Sequence, residues 1–189
     1  MNPVHKKFSR RARVATGGAV LAVVALAGFG AVSANASAPA ATPATATSAN
    51  AAARATTTST HLTIDAATKA AQAALDAAEK ENQRVTVAVV DRNGNTLVTL
   101  RGDGAGPQSY ESAERKAFTA VSWNAPTSQL AERLEQAPNL KDIPGTLFLA
   151  GGVPVTAGNA PIAGIGVAGA PSGTLDEKFA QAGANSVAR

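Results

Sequence analysis

The sequence predicts an α+β domain in which helices pack on an antiparallel sheet, with the elements in the order α-β-β-α-α-β-β-β-α. Three observations carry this prediction. Residues 63–82 have the apolar spacing of a helix, residues 84–101 have the pattern of a tight β-hairpin, and residues 161–169 form a Gly-notched strand ahead of a final helix.

The first helix begins at Thr63 and Asp65, whose side chains offer acceptors to the first turn. Its apolar face continues to about Asn82 and is mostly alanine, so we expect very close packing against a flat neighbour. The members of that face are Ile64, Ala67, Ala71, Ala74, Leu75 and Ala78.

The hairpin has the strongest local signal in the chain. Residues 84–91 (RVTVAVVD) are β-branched, residues 92–95 contain an Asn-Gly turn, and residues 96–101 (TLVTLR) alternate again. A Gly-rich loop at residues 102–107 ends this part of the sheet.

The second half of the chain supplies the other elements. Ser109 is predicted to cap a helix that ends near Asn124, with Glu111 and Glu114 early in it, where the helix dipole favours acids. The elements after it are a short helix from Pro126 to about Gln136, a turn at residues 142–145, strands at residues 146–150, 153–156 and 161–169, and a last helix at residues 175–188 behind Thr174.

Residues 1–36 have the pattern of a secretory signal peptide. A basic segment with Lys6, Lys7, Arg10, Arg11 and Arg13 precedes the apolar residues 14–32, and an A-x-A-type cleavage site ends at Ala36. The Ser9-Arg10-Arg11 run is a twin-Arg feature that indicates export of a folded protein, although an ordinary basic segment would look similar. We therefore expect a secreted protein, extracellular or cell-wall associated, with no stable membrane insertion after cleavage.

Cleavage changes the charge of the chain. Residues 37–60 are rich in Ala, Thr, Pro and Ser and predict a disordered linker, so the folded domain is expected at residues 61–189. Removing five of the 17 basic residues leaves 12 against 13 acids, a formal charge of −1. No basic stripe remains to bind nucleic acid. The absence of Cys excludes disulfides and thiolate metal sites.

Two motifs that would indicate other functions fail on context. Residues 164–169 match G-x-G-x-x-G, but these glycines lie within a strand and no acid follows at the required distance. A Ser–Lys pair, Ser112 and Lys116, is conceivable in a hydrolase, yet no oxyanion pattern accompanies it. Small residues packed close to a neighbour are the simpler interpretation of the glycines.

Acidic pairs at i,i+3 spacing are the candidate metal ligands. They are Asp76/Glu79, Glu111/Glu114 and Glu132/Glu135. Each pair places two carboxylates on one side of a helix, where they can hold a hard cation, although a solvated helix face has the same pattern. We favour Asp76/Glu79, with His61 as an added ligand if the start of the helix folds back.

The helix after the Gly-rich loop carries the candidate ligand face. At helical spacing Ser112, Lys116, Thr119 and Trp123 share one side, separate from the alanine stripe. An indole stacks on flat rings, an ammonium meets carboxylates, and a hydroxyl donates or ligates. The alternative is that Trp123 tucks under the Pro126 turn while Lys116 pairs with Glu111 or Glu114 in solvent.

The chain from about Leu62 onward resembles the GlcG/HbpS-like family, whose members are described as haem-degrading or haem-binding. The resemblance lies in the Ala-rich first helix and in five segments: VAVVDRNGN, SAERKAFTA, APTSQL, IPGTLFLAGGVPV and IAGIGVAGAPSGTLDE. It implies a profilin-like α+β domain, assembly into an oligomer such as an octamer, weak and reversible binding of haem b, and iron binding linked to redox sensing. It further implies an accessory role beside the extracellular domain of a sensor histidine kinase in a two-component system.

The residues limit how such a protein could hold haem. With Cys absent and Met1 removed, the remaining iron ligands are His61, Tyr110 and hydroxyls, of which we favour Thr119 first and Ser112 second. A hydroxyl is a poor ligand, so the haem would be held loosely, with Lys116 and Arg115 on its propionates. A haem-degrading enzyme is an alternative, but the sequence has no flavin or nicotinamide site. A structural cell-wall protein is another alternative.

Overall fold

The computed structural model describes residues 48–188, and its compact unit begins at Asn50. The predicted signal peptide and the linker up to residue 47 lie outside the described residues. Residues 48–60 are exposed and contain one 3-10 turn, Ala53–Ala55. None of the helices between residues 48 and 188 has the length and hydropathy of a membrane-spanning segment.

The described chain forms a four-stranded antiparallel sheet with helices on both faces, which confirms the predicted α+β class. The sheet order is β2-β1-β4-β3. The elements are α1 (Ile64–Lys80), β1 (Thr86–Asp91), β2 (Thr96–Arg101), α2 (Gln108–Trp123), α3 (Thr127–Glu132), β3 (Gly152–Ala157), β4 (Ala160–Ala168) and α4 (Gly173–Val187). Short 3-10 turns lie at Arg133–Glu135 and Pro138–Asp142.

The alternation of β1 distributes its side chains between the two helical layers. Val87 and Val89 pack in the main core with α1 and α4, whereas Ala88 and Val90 pack with α2 on the other face. All six residues of β1 are buried, as expected for a strand covered on both faces. The alanines of the predicted α1 face are fully buried in the main core, which confirms the predicted close packing, whereas Ile64, predicted for the same face, is 56% exposed.

The glycines of β4 allow α2 to lie directly on the sheet. A Cβ on Gly164 would lie 2.1 Å from the Ala117 carbonyl oxygen, and one on Gly166 would lie 2.1 Å from that of Ala113. Both distances are too short for a real Cβ. The glycine motif therefore serves helix–sheet packing, as its context indicated.

Residues 146–150 were predicted as a strand, and this prediction is wrong. The segment is irregular, and α2 side chains satisfy its backbone: Thr119 accepts a hydrogen bond from the Leu147 amide (2.8 Å), and Arg115 donates to the Thr146 carbonyl (2.7 Å). The order in the described residues is therefore α-β-β-α-α-β-β-α. The hairpin and the strands near residues 153 and 161 are confirmed.

Two predicted helix caps are also wrong. Ser109 lies inside α2, where its hydroxyl bonds the Gly106 carbonyl (2.5 Å) and the Thr86 hydroxyl (2.7 Å). In α4 the cap is Ser172, whose hydroxyl accepts from the Leu175 amide, and Thr174 lies within the helix. At Ser109 a tertiary contact with Thr86 engages the hydroxyl, whereas α4 begins earlier than predicted and takes its cap from Ser172.

Candidate functional site

The predicted ligand face of α2 does not form one exposed surface. Lys116 and Thr119 are buried, whereas Ser112 and Trp123 are half-buried. The loop before β3 covers this side of the helix through the bonds from Arg115 and Thr119 described above.

Thr119 cannot act as the predicted iron ligand in this structure. Its side chain is 0% exposed, and its hydroxyl donates to the Arg115 carbonyl (2.7 Å) while it accepts from the Leu147 amide (2.8 Å). One lone pair of the oxygen is left, but the side chain is fully buried, so this lone pair does not face a space that an iron atom could occupy. The role of Thr119 is to fix the loop before β3 to α2.

Trp123 adopts the alternative arrangement, against the chain that follows the Pro126 turn. Its ring meets Phe148 edge-on, with centroids 5.3 Å apart and planes at 67°. Ala125 and Leu130 belong to the same small cluster. An edge-to-face pair of this kind stabilises packing, and it leaves less of the indole free to stack on a ligand.

Lys116 forms the most buried ion pair among the described residues, and its partner is Asp176 of α4. Nζ lies 2.8 Å from Asp176 Oδ2 and 3.0 Å from the Val167 carbonyl oxygen, which accepts a hydrogen bond from it. The side chains are 6% and 5% exposed. The alternative pairing of Lys116 with Glu111 or Glu114 is wrong, because the helix turns this lysine toward β4 and α4.

The environment of Asp176 is unusual for a carboxylate. Burial raises the pKa of Asp176 above its usual value, while the hydrogen bond and charge of Lys116 and the Ala170 amide act in the opposite direction. The Ala170 amide donates to Oδ1 at 3.0 Å. Both carboxylate oxygens are thus hydrogen-bonded, and the acid is held in one place beside Lys116.

The other predicted haem-contacting residues lie around this pair without forming one pocket. Arg115 is bound by the Thr146 carbonyl and lies 3.6 Å from Glu111. Tyr110 is 47% exposed near the start of α2. Ser112 lies one helical turn before Lys116 on the same side of α2.

The predicted metal ligands do not form a group of three, because His61 does not join Asp76 and Glu79. In residues 48–188 no three His, Asp or Glu side chains are grouped to hold a metal ion. Asp76 and Glu79 are exposed on α1, and Asp76 accepts a hydrogen bond from Gln72 (2.6 Å). His61 is exposed and bonds the Ser59 hydroxyl (2.6 Å), so its predicted addition to the Asp76/Glu79 pair is not observed.

Glu111 and Glu114 also have other partners. Glu111 faces Arg115, and Glu114 accepts a hydrogen bond from Thr99 of β2 (3.2 Å). Each carboxylate therefore has a neighbour that accounts for it. This pair is a weaker metal candidate than Asp76/Glu79.

Two adjoining cavities lie beside the Lys116–Asp176 pair, and together we call them the α4 groove. One cavity of about 410 Å³ adjoins a second of about 340 Å³, and the two share Ala150 and Thr174. The first is lined by Lys116, Leu149, Ala150, Ala170, Pro171, Ser172, Gly173, Thr174 and Asp176. The second is lined by Ser128, Ala150, Thr174, Glu177, Lys178 and Gln181.

Glu177 holds the wall of the α4 groove in place. Its carboxylate accepts hydrogen bonds from the Ser128 amide (3.0 Å), the Ser128 hydroxyl (2.5 Å) and the Gly151 amide (3.2 Å). This ties α3 and the loop before β3 to α4. The sequence pattern missed Asp176 and Glu177 because their partners are distant in the chain. The partner of Asp176 lies 60 positions away, and those of Glu177 lie 26 and 49 positions away.

The chain is similar in sequence and fold to proteins of one known family. The family model described as haem degrading protein HbpS-like matches residues 62–185. A crystal structure of HbpS is 75% identical, with a TM-score of 0.74, and the match covers 75% of this chain and 100% of that one. A search of the curated proteins found no match.

Two further solved structures are informative. One is a double mutant of Streptomyces reticuli HbpS in which two glutamates three positions apart are replaced by aspartate. It is 73% identical to this chain, with a TM-score of 0.75, and the match covers 78% of this chain and 100% of that one. The other, a PduOC:heme complex, is 25% identical, has a TM-score of 0.62, and covers 67% of this chain and 95% of that one.

Proposed function

The chain belongs to the haem-degrading protein HbpS-like family, and from that premise we propose that it binds haem reversibly in the α4 groove. The observation that carries the proposal is a concave site with an apolar wall beside a buried lysine. The similar fold of the PduOC:heme complex supports haem as the ligand class.

The residues of the α4 groove fit a loosely held haem. Leu149, Ala150, Ala170 and Pro171 offer apolar contacts to a porphyrin face or edge. Within residues 48–188 the side chains of the type that ligate haem iron strongly are His61 and Tyr110, and neither lines the two cavities. The hydroxyls of Ser172 and Thr174 are weak ligands, so binding is expected to be reversible.

A haemin titration of the full chain tests this proposal. Haemin should give a shifted Soret band, and Leu149→Asp should weaken binding by about tenfold or more, because it places a charge against the porphyrin. Ile143→Asp is the matched control, since Ile143 is another exposed apolar residue of the same loop that lines neither cavity. Equal losses in the two variants, or an unchanged spectrum in the wild type, would refute the α4 groove as the haem site.

The degradative alternative has its own measurement. Incubation of the haem-loaded protein with ascorbate should leave the Soret band in place if the protein is a binder. Steady loss of the band with release of bile pigment would instead establish a haem-degrading enzyme.

Iron binding by Asp76 and Glu79 is a second proposed function. Both carboxylates are exposed on α1 at i,i+3 spacing, and the substituted glutamates of the similar HbpS double mutant have the same spacing. Two carboxylates on one helix side can hold a hard cation. Asp76→Asn with Glu79→Gln should lower the iron bound per chain, whereas Glu132→Gln with Glu135→Gln should not.

The remaining proposals concern location and partners. The signal-like segment at residues 1–36 supports secretion, to the medium or the cell wall, and family membership supports an octamer that acts as a redox and haem sensor beside a sensor kinase. Mass spectrometry of exported protein should find cleavage after Ala36, and light scattering should give eight copies. Intact residues 1–36 or a monomer would contradict these two proposals.

A further inference from the structure

The Lys116 ammonium has more donors than protein acceptors. An ammonium carries three N–H groups, and among the described residues Nζ has two acceptors, Asp176 Oδ2 and the Val167 carbonyl oxygen. Lys116 also lines the cavity of about 410 Å³. One donor of a nearly dehydrated cation is therefore left for an acceptor in that cavity.

The surroundings of this donor favour a negative ligand. The first turn of α4, at Gly173 and Thr174, lines the same cavity, and the positive end of a helix dipole stabilises anions. Asp176 is the sole acid on that cavity wall, and its oxygens are already bonded to Lys116 and to the Ala170 amide. A carboxylate that enters the cavity would therefore meet the Lys116 ammonium and the start of α4, and the one carboxylate on the wall is already hydrogen-bonded.

Gly151 packs directly against the Lys116–Asp176 ion pair. A Cβ there would lie 2.6 Å from Lys116 Nζ and 2.8 Å from Asp176 Cβ, and its φ of +131° also favours glycine. The backbone of the loop thus covers the ion pair from one side. The cavity is the side on which Lys116 can meet a ligand.

We propose that the α4 groove binds the carboxylate group of an organic ligand through the Lys116 ammonium, with Asp176 as the positioning residue that holds this lysine. The inference rests in part on the proposed function, because a haem propionate is one source of such a carboxylate. A short free carboxylic acid is the other source, and the two can be distinguished.

The first measurement compares haemin with haemin dimethyl ester on the full wild-type chain. Loss of the carboxylate charges should weaken binding by about tenfold, since charge-assisted hydrogen bonds are stronger than neutral ones. The double variant Lys116→Met with Asp176→Asn should bind the acid and the ester equally, because it removes both charges and keeps an oxygen for the Ala170 amide. Lys69→Met, which removes an exposed lysine of α1, should keep the wild-type preference.

The second measurement titrates propionate into ¹⁵N-labelled protein without haem. Amide shifts of Gly151, Ala170, Gly173 and Thr174 should move in the wild type and in Lys69→Met, and stay unchanged in the double variant. Equal binding of haemin and its ester would overturn the role of Lys116 toward haem and leave haem binding intact. Absence of haemin binding together with propionate shifts at these amides would refute the haem proposal and support a site for a free acid. If propionate causes no shifts and the ester binds like the acid, the carboxylate site is refuted.

Discussion

Replacing Lys116 by Met removes one member of the buried ion pair and leaves the Asp176 carboxylate without its partner. The two side chains are 6% and 5% exposed, so the remaining carboxylate would be largely desolvated and without a counter-charge. Breaking such a pair costs about 3–5 kcal/mol of unfolding free energy. The exposed pair of Lys178 and Glu81, whose side chains are 60% and 39% exposed, should contribute only about 0–1 kcal/mol.

The cost should depend on pH in a defined direction. Burial already raises the pKa of Asp176 in the folded protein, and loss of Lys116 should raise it further. A raised pKa means that the folded state binds this proton more tightly than the unfolded state, in which the pKa is near 3.8. The stability that the proton contributes is therefore fully present below about pH 3.8 and is lost as the pH rises through the folded-state pKa. The deficit of Lys116→Met should therefore be large at pH 7 and smaller near pH 4.5.

Urea denaturation followed by Trp123 fluorescence measures both effects. With an m-value of about 1–3 kcal/mol/M, the midpoint of Lys116→Met should fall by about 2 M at pH 7, and that of Lys178→Met should barely move. The double variant with Asp176→Asn should recover at least about 1 kcal/mol, because no charge is then left unpaired. A deficit under about 1 kcal/mol, or one of equal size at both pH values, would refute the reasoning.

Three further predictions concern the scaffold. Gly166→Ala should lower the unfolding free energy by about 3 kcal/mol or more, because its Cβ would lie only 2.1 Å from an α2 carbonyl oxygen. Gly158→Ala has open space around it and should cost only about 1–2 kcal/mol, for its positive φ alone; equal urea midpoints for the two variants would contradict this. Burial alone would raise the pKa of Asp91, but hydrogen bonds from neighbouring asparagines and the His61 charge hold it below its usual value. Asp91→Ala should therefore lower the unfolding free energy above about pH 4 and much less at pH 2. A loss of stability that does not depend on pH would contradict this prediction. Thr119→Val should cost about 1 kcal/mol or more by removing the acceptor of the half-buried Leu147 amide. It should leave the haemin spectrum unchanged, and a changed spectrum would restore this hydroxyl as a ligand.

The elements that local sequence defines were predicted well. The Asn-Gly turn of the hairpin and the helical alanine spacing of α1 depend on neighbours within a few residues, and both elements form as expected. The strand predicted at residues 146–150 has an equally apolar pattern but is irregular, because α2 side chains bind its backbone. A hydrophobic run cannot reveal which partner its amides will find.

The candidate site was predicted only in part. Lys116 was identified as a candidate from its helical face, with a haem propionate as its expected partner and an acid of the same helix as the alternative. The structure instead brings Asp176 from a helix 60 positions later in the chain. Thr119 was selected for the same face, and the loop before β3 buries it.

By itself the sequence determined the α+β class, the absence of thiol chemistry, and a family resemblance that the family match confirms. These follow from periodicity, composition and long runs of similar residues, which need no knowledge of distant contacts. Only the tertiary structure decided which side chains of α2 remain available to a ligand, because the loop and α4 that cover that helix are distant in the chain. A buried ammonium needs a counter-charge, and Asp176 supplies it, so that the most buried lysine of the described chain lies at the wall of the α4 groove.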